Sequence, residues 1–233
     1  METASFDAYA HNYDAAIQTG LRITGEDKDF FARARLDKTS STIARLFPGS
    51  ARTKAVDFGC GIGDGAAMLQ EKLGFEALLG VDVSAESLIV AETRHRQAGI
   101  EFALISDRPP TPDADLVHCN GVFHHIPPEQ RSGSLQYIHR SLKPGGAFVL
   151  WENNPFNPGV HLVMRAIPFD RDAQLLSPMA ALRLVRNNGF RVLELRFHFI
   201  FPRVMSAFRR FEDYLARLPV GAQYQVIATK EKL

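Results

Sequence analysis

The chain has 233 residues, a length that suits one α/β domain with or without a small cap. With 27 Lys+Arg against 26 Asp+Glu, it lacks the basic excess of nucleic-acid-binding proteins, so we expect no nucleic-acid partner. The first residues lack the apolar core of a signal peptide, and no apolar run approaches the ~20 residues that span a bilayer. These features predict a cytoplasmic protein with no stable membrane insertion.

Residues 1–50 are predicted to be a helical N-terminal cap, and residues 51–233 a single domain. From Lys54, apolar runs typical of buried strands alternate with helical stretches. The predicted strands are Lys54–Phe58, Ala77–Val83, Glu101–Ser106, Asp115–Asn120, Ala147–Trp151, Phe190–Phe201 and Ala222–Lys230. Ser84 and Ser177 are predicted to cap two of the intervening helices. Strands separated by helices indicate an α/β fold with a mostly parallel sheet covered on both faces.

Two stretches, 155–176 and 202–221, do not fit the alternation and are predicted to be insertions that cover the site. In the second, Val204, Phe208, Phe211, Leu215 and Leu218 recur at helical spacing, which predicts one helix with a buried apolar stripe. A fixed helix that closes the end of the sheet is the alternative to a lid. Docking of its arginines on an anionic membrane is disfavoured because Glu212 and Asp213 dilute the charge.

A glycine loop follows the first predicted strand, with Gly59, Gly61 and Gly63 two residues apart after Asp57. Glycines let the backbone turn tightly and approach a ligand, and the following helix N-terminus presents free N–H groups. Asp82 ends the second predicted strand, where a carboxylate can accept the hydroxyls of a ribose. A helix-capping acid is the alternative role for Asp82, although Ser84 already suits the cap.

The segment Asp57-x-Gly-x-Gly-x-Gly63 resembles the first motif of the class I S-adenosylmethionine-dependent methyltransferases. Gly80–Ser84, Asn120–Pro127 and Leu142–Gly146 resemble later motifs of the same family, in the right order over about residues 50–153. The resemblance implies a Rossmann-like fold whose seven-stranded sheet has the order 3-2-1-4-5-7-6, with the seventh strand antiparallel. It also implies S-adenosylmethionine as cofactor and S-adenosylhomocysteine as product.

The same resemblance implies roles for individual residues. The glycine loop would line the methionine part of the cofactor, Asp82 would bind the ribose, and Val83 would pack on the adenine. Asn120 would face the methionine or the sulfonium. The full set of predicted cofactor-binding residues is Asp57, Gly59, Cys60, Gly61, Gly63, Asp82, Val83, Ser106, Asp107, Asn120 and Tyr13. Tyr9 and Tyr13 resemble an aromatic N-terminal segment that folds over the cofactor, although an amphipathic helix packed on the body explains them equally well.

An NAD(P)-dependent oxidoreductase is the main alternative, because Gly61–Ala66 and Asp82 also match a dinucleotide fingerprint. The 50-residue cap before the loop, the absence of a Tyr-x-x-x-Lys pair and the Pro144-Gly145-Gly146 turn count against it. A non-catalytic nucleotide-binding relative stays open.

His125, and then His124, are the candidate catalytic bases, because histidine titrates near neutral pH and both follow the fourth predicted strand. Histidines that only shape the pocket are the alternative. No metal is expected, because Asn120 and Glu152-Asn153-Asn154 are a poor ligand set for Mg²⁺.

The acceptor site is predicted to include Tyr9, His125, Glu152, Asn154 and Phe156, with a purely structural turn at 152–158 as the alternative. The 152–158 segment resembles a Glu-x-Asn-Pro-x-Asn-Pro signature in a subset of bacterial methyltransferases. Abundant phenylalanines late in the chain favour an apolar or aromatic small-molecule acceptor. Methylation on oxygen is favoured over nitrogen or carbon, and the oligomeric state is left open.

Overall fold

The computed structural model describes Asp7 and residues 13–171 and 173–231. Tyr9 lies outside the described residues, and of Tyr13 the structure describes the backbone, at the start of the first helix. From Tyr13 onward, two α-helices precede the sheet, α1 (Tyr13–Leu21) and α2 (Lys28–Leu46). Asp27 caps α2, because its side chain accepts a hydrogen bond of 2.7 Å from the Phe30 N–H.

The sheet has seven strands in the order β3-β2-β1-β4-β5-β7-β6, with β7 antiparallel to both neighbours, as the sequence predicts. The strands are β1 (Lys54–Phe58), β2 (Ala77–Asp82), β3 (Ile100–Leu104), β4 (Ala114–Asn120), β5 (Leu142–Asn153), β6 (Phe190–His198) and β7 (Gln223–Lys230). The Pro144-Gly145-Gly146 turn belongs to an irregular start of β5, where the register to β4 shifts before Leu116 pairs with Ala147.

Helices connect the strands on both faces of the sheet. They are α3 (Asp64–Leu73), α4 (Ala85–His95), α5 (Arg131–Ser141), α6 (Pro158–Ala166), α7 (Pro178–Asn187) and α8 (Glu212–Leu215). The predicted caps are confirmed, since Ser84 accepts from the Ser87 N–H and Ser177 from the Ala180 N–H. None of the helices in the described residues has the length and apolar character needed to cross a bilayer.

Strand β5 shows why these sequences form buried strands. Phe148 and Leu150 enter one core cluster, whereas Val149 and Trp151 enter another on the opposite face. Consecutive side chains of a strand point to opposite faces, so a strand covered on both sides is apolar throughout. Cys119 of β4 and Cys60 of the loop after β1 are buried free thiols.

The connection between β6 and β7 lies at the carboxyl edge of the parallel strands, because Gln223 pairs with both Asn153 and His198. Strand β6 ends earlier than predicted, since Phe199 has a φ of 61° and its carbonyl accepts from the Ala222 N–H. A φ in this region is uncommon for a residue with a Cβ and marks a sharp turn.

The prediction of one helix with a buried stripe over 204–218 is wrong. The segment Arg203–Phe211 consists of two 3-10 pieces joined by a kink at Met205 and is followed by the single turn of α8, and Val204 is 91% exposed. The buried side chain is instead Glu212, which accepts 3.0 Å hydrogen bonds from the N–H groups of Ile200 and Phe201. A 3-10 helix has three residues per turn, so side chains spaced by four do not share one face.

Residues 20–25, 155–171 and 202–221 contact one another at the carboxyl edge, and we call them the cover. Arg203 donates to the Gly25 carbonyl at 3.1 Å, and Asn157 donates to the Val220 carbonyl at 2.8 Å. A Cβ built on Gly20 would lie 2.5 Å from Ile167, which shows how closely the end of α1 approaches α6. The three segments therefore form one connected layer.

Candidate active site

The glycine loop leaves β1 and turns into α3 at the carboxyl edge of the sheet. Gly59, Gly61 and Gly63 all have positive φ, at 76°, 53° and 84°. A Cβ on Gly59 would meet Val122 at 2.4 Å, so close packing against the loop after β4 excludes any side chain there. The loop is fixed to β2, because the Gly59 and Cys60 N–H groups both donate to the Val81 carbonyl.

Gly61 differs from its neighbours because nothing lies within 4 Å of a Cβ built on it. Its N–H donates to Asp82 Oδ2 at 2.8 Å, while Asp82 Oδ1 accepts from Val83 at 2.7 Å and Ser84 at 2.9 Å. Burial raises the pKa of Asp82, and the three backbone donors oppose that rise. A carboxylate has about four acceptor positions, so Asp82 retains capacity for a ligand hydroxyl beside the open space at Gly61.

Asp57, at the end of β1, is buried and lies 3.0 Å from Nδ1 of His118 on β4. Because a carboxylate only accepts, His118 must carry the proton on Nδ1. Asp57 thus holds β1 and β4 in register beneath the loop, and it lies beside Gly65 rather than in open space.

Charged residues hold the N-terminal helices against the glycine loop. Lys28 of α2 pairs with Asp14 of α1 and with Asp64 in the first turn of α3. Arg94 of α4 also reaches Asp14, at 3.0 Å. Ahead of α1, Asp7 accepts a 2.6 Å hydrogen bond from the Ser84 hydroxyl next to Asp82. The N-terminal region therefore contacts the loop and the end of β2 together.

The remaining predicted cofactor residues lie along the same edge. Val83 follows β2 and is partly buried, Ser106 and Asp107 follow β3 and are exposed, and Asn120 ends β4. Ser106 donates to Asp107 at 2.8 Å. Cys60 is buried within the loop, and burial raises the pKa of its thiol well above the usual range.

A buried ion pair joins His124, in the loop after β4, to Glu152 of β5. Nδ1 of His124 is 2.6 Å from Glu152 Oε2, and Glu152 Oε1 accepts from the Phe123 N–H at 2.7 Å. Both side chains are almost fully buried. Burial alone would lower the pKa of His124, but the two carboxylates beside it, Glu152 and Asp170, raise it to about 10. His124 is therefore a fixed cation at neutral pH.

His125 shares Asp170 with His124. Nε2 of His125 lies 3.1 Å from Asp170 Oδ1, and Nε2 of His124 lies 3.7 Å from the same oxygen. Burial lowers the pKa of His125, and the neighbouring charge of His124 lowers it further, against the pull of Asp170. At neutral pH the two adjacent imidazoles therefore differ, with His124 charged and His125 neutral.

The donor atoms of His124, His125 and Asp170 lie within 4.8 Å of one another, a spacing that a metal ion could bridge. A protonated imidazole has no lone pair for a metal, so an ion must displace the proton that two carboxylates hold on His124. This competition favours a proton at the cluster. These three residues differ from Asn120 and Glu152-Asn153-Asn154, the poor Mg²⁺ ligands noted in the sequence.

Asn154 and Phe156 occupy contrasting environments. Asn154 is fully buried, and its amide donates to the carbonyls of Pro219 and Gly221 at 3.1 and 2.8 Å. Its Oδ1 accepts from the Phe156 N–H at 3.1 Å. Asn154 thus ties two segments of the cover together, whereas the Phe156 ring is exposed. Glu152, which was also predicted to bind the acceptor, is instead occupied by His124 and the Phe123 N–H.

Sequence reasoning missed Asp170. It lies in a 3-10 helix (Pro168–Asp170) more than forty positions after the histidines, and its burial against them has no local signal in the chain. The Pro-Phe-Asp tripeptide gives no periodicity, and only the return of the cover to the loop after β4 brings the groups together. The Gln174 N–H, which donates to the His124 carbonyl at 2.9 Å, fixes that return.

Comparisons with known proteins agree with this geometry. A family model described as a methyltransferase domain matches residues 56–148. A trans-aconitate 2-methyltransferase from Rhodopseudomonas palustris (strain BisB5) is 31% identical over 123 residues, 53% of this chain and 47% of the relative. One from Azoarcus sp. (strain BH72) is 30% identical over 159 residues, 67% of this chain and 62% of that protein. The chain thus spans about half the length of the first curated relatives it matches.

Solved structures share the fold. An S-adenosylmethionine-dependent methyltransferase from Mesorhizobium loti superposes with a TM-score of 0.60 at 18% identity, over 83% of this chain and 99% of that one. One from Archaeoglobus fulgidus gives 0.60 at 17% identity, over 88% and 100%.

The strand order, the glycine loop and the family model together define a class of protein. A dinucleotide-binding fold has the order 3-2-1-4-5-6, whereas β7 here lies antiparallel between β5 and β6, which argues against the oxidoreductase alternative. Residues 56–148 match a methyltransferase domain, and the strand order is that of the class I S-adenosylmethionine-dependent methyltransferase family. The cofactor of that family is S-adenosylmethionine, and the open space at Gly61 beside Asp82 fits its methionine and ribose.

Proposed function

We propose that the chain transfers a methyl group from S-adenosylmethionine to a small-molecule acceptor. The observation that carries the proposal is the open space at Gly61, bordered by Asp82, at the same sheet edge as the neutral His125. Relatives named trans-aconitate 2-methyltransferase support a small molecule as acceptor.

The glycine loop, Asp82, Val83 and Asn120 would hold the cofactor, with Asp107 near its adenine. Bound S-adenosylmethionine supplies an electrophilic methyl group on a positively charged sulfur. The protein then needs to orient the acceptor and exclude water, and orientation alone contributes ~7–11 kcal/mol in favourable cases. Tyr9, Phe156 and the cover are proposed to shape the acceptor site.

His125 is the proposed base for an acceptor hydroxyl. It is neutral at pH 7 and beside Asp170, so it can take the hydroxyl proton as the oxygen becomes a nucleophile. His124, held by Glu152, keeps a positive charge beside the same carboxylate and positions it. A carboxylate acceptor carries no proton at pH 7 and would need no base, so the effect of His125 discriminates between these acceptor classes.

Binding measurements test the cofactor assignment. Calorimetry should show S-adenosylhomocysteine binding near 1 μM, about −8 kcal/mol, with no heat from NAD. Asp82→Ala should weaken binding by one ribose hydrogen bond, worth about 1.5–3 kcal/mol for a charged acceptor. Glu86→Ala, an exposed acid in the first turn of α4, is the matched control. Tight NAD binding without S-adenosylhomocysteine binding would refute the proposal.

Transfer of label tests the activity itself. The protein is incubated with S-adenosylmethionine labelled in the methyl group and with separate pools of phenols, aliphatic alcohols, amines and carboxylic acids. We expect label in an oxygen-methylated product from an apolar or aromatic pool. Cofactor binding without transfer to any pool would instead favour a non-catalytic relative.

A further inference from the structure

The large apolar side chains that the structure leaves exposed are concentrated on the cover. Of twelve such residues among those described, Ile89 and Met179 lie elsewhere, and the other ten belong to the cover. Val204 and Tyr214 are 91% and 85% exposed, and Phe156 is 64% exposed. Monomeric proteins rarely expose contiguous apolar surface of this kind without an interaction that covers it.

Basic side chains outnumber acidic ones on the exposed surface of the cover. Among its described residues the exposed ionised side chains include six arginines, namely Arg22, Arg165, Arg171, Arg203, Arg210 and Arg217. Of its acidic side chains, Asp170 and Glu212 are buried. Asp213 is 78% exposed and lies 3.2 Å from Lys38, which offsets its charge. The exposed charge of the cover is therefore predominantly basic.

An arginine and an aromatic ring contact each other on this surface. The guanidinium of Arg210 lies 4.9 Å from the centroid of the Phe211 ring. Aromatic rings and arginines together suit the boundary between lipid headgroups and acyl chains, where rings enter the apolar layer and cations contact phosphates. A protein partner would have to match both the projecting rings and the spread of cations, whereas an anionic lipid surface matches them without a specific shape.

We propose that the cover docks on an anionic lipid surface, with Val204, Phe208 and Tyr214 entering the interface and Arg210 and Arg217 contacting headgroups. The docked edge is the carboxyl edge of the sheet, so the acceptor site faces the membrane. The proposal rests on exposure and charge and holds whether or not the proposed methyl transfer is correct.

Vesicle sedimentation tests the charge contribution. The full chain should bind vesicles of phosphatidylcholine mixed with phosphatidylglycerol, bind phosphatidylcholine alone much more weakly, and dissociate as salt rises from about 0.1 M to 0.5 M. Each arginine near an anionic surface contributes about fivefold in affinity, so Arg210→Ser with Arg217→Ser should weaken binding about 25-fold. Arg96→Ser, an exposed arginine after α4, should have no effect.

A second pair of variants tests the apolar contribution. Val204→Ser with Phe208→Ser should lower affinity for the mixed vesicles at least tenfold. Ile89→Ser with Met179→Ser changes side chains that are 57% and 58% exposed on other surfaces and should leave binding unchanged. Unchanged thermal unfolding and S-adenosylhomocysteine affinity in all variants would separate docking from folding and from the cofactor site.

Three results would overturn the proposal. One is failure to bind the mixed vesicles at all. Another is an equal loss in the cover variants and their controls. The third is a dimer, measured by light scattering without lipid, that Val204→Ser with Phe208→Ser converts to a monomer, because the surface would then be an interface between two copies of this chain.

Discussion

At the scale of single residues, His124 and His125 show how adjacent identical side chains acquire different protonation. His124 lies between two carboxylates and has a pKa of about 10, whereas burial beside that cation lowers the pKa of His125. Neighbouring sites with opposed pKa shifts are typical of functional centres. The proton-accepting group is therefore expected to be His125, with His124 and Asp170 as positioning residues.

The first residue-scale prediction concerns His125. If the acceptor is a hydroxyl, His125→Ala should lower kcat by ~10²–10⁴ while S-adenosylhomocysteine affinity stays nearly unchanged. His161→Ala, an exposed histidine of α6, is the control. Steady-state kinetics and calorimetry measure the two effects. A loss below about fivefold would show that His125 only shapes the pocket or that the nucleophile carries no proton.

A pH dependence follows from the buried pair. The folded-state pKa of His124 is raised from 6.5 to about 10, so its contribution to stability is complete below pH 6.5 and is lost as the pH rises through about 10. The pKa of Glu152 is lowered, so its contribution is present above its unfolded value of 4.5 and is lost as the pH falls through its folded pKa. The pair should therefore stabilise the folded state most between about pH 4.5 and pH 6.5.

Glu152→Gln tests that dependence. Removing one partner of a buried ion pair costs about 3–5 kcal/mol, so the free energy of unfolding at pH 7 should fall by that order. The variant should also lose most of the decline between pH 7 and 10 that the parent protein shows in urea unfolding. Glu129→Gln, an exposed carboxylate nearby, should match the parent. Identical pH profiles for parent and Glu152→Gln would contradict the assigned ion pair.

At the scale of elements, the glycine loop contains one glycine that close packing requires and another that borders open space. Gly59 has a positive φ and no room for a Cβ, because Val122 from the loop after β4 packs against it. Gly61 and Gly74, the latter at the end of α3, have positive φ and open space. Substitutions at Gly59, Gly61 and Gly74 can therefore separate the effects of overpacking, backbone conformation and ligand binding.

Alanine substitutions make the element-scale prediction. Gly59→Ala should lower the free energy of unfolding by about 2–5 kcal/mol, from a left-handed residue and overpacking. Gly61→Ala and Gly74→Ala should each cost about 1–2 kcal/mol, from the backbone alone. Gly61→Ala should also weaken S-adenosylhomocysteine binding at least tenfold, because its Cβ enters the proposed cofactor space. Gly74→Ala should leave that affinity unchanged. Equal affinities for Gly61→Ala and Gly74→Ala would place the cofactor elsewhere.

At the scale of the whole molecule, the cover joins segments far apart in the chain into one layer over the carboxyl edge. Asn154 is its central tie, since it bonds to carbonyls at 219 and 221 from the end of β5. Asn154, a predicted acceptor-site residue, is thus hydrogen-bonded to the segment that is proposed to cover the site. The rate of hydrogen exchange at the backbone amides of the cover distinguishes a lid from a fixed layer.

Hydrogen exchange makes the whole-molecule prediction. Residues 155–171 should gain protection when S-adenosylhomocysteine and an acceptor bind, as for a lid that closes over the site. Asn154→Ala should leave the buried Gly221 carbonyl and the partly buried Pro219 carbonyl unpaired, destabilise the fold by about 1–3 kcal/mol and speed exchange at 217–222. Asn153→Ala, which loses one bond to Gln223, is the control. Equal protection in free and bound states, at the level of the core strands, would make the cover plain scaffold.

The sequence by itself determined the parts of the protein whose cause is local. The apolar run of β5, the caps at Ser84 and Ser177, and the glycines after Asp57 are set by neighbours along the chain, so strands, helices and the glycine loop were predictable. Strand order was implied by the resemblance of the motifs to a known family, not by any local pattern in the chain. Tertiary structure alone decided the burial of Asp170 against His125 and of Glu212 beneath the 203–211 turn, which leaves the apolar stripe exposed. The reason is that each depends on where distant segments meet, and the 3-10 geometry of that turn overrides the helical spacing that the sequence presents.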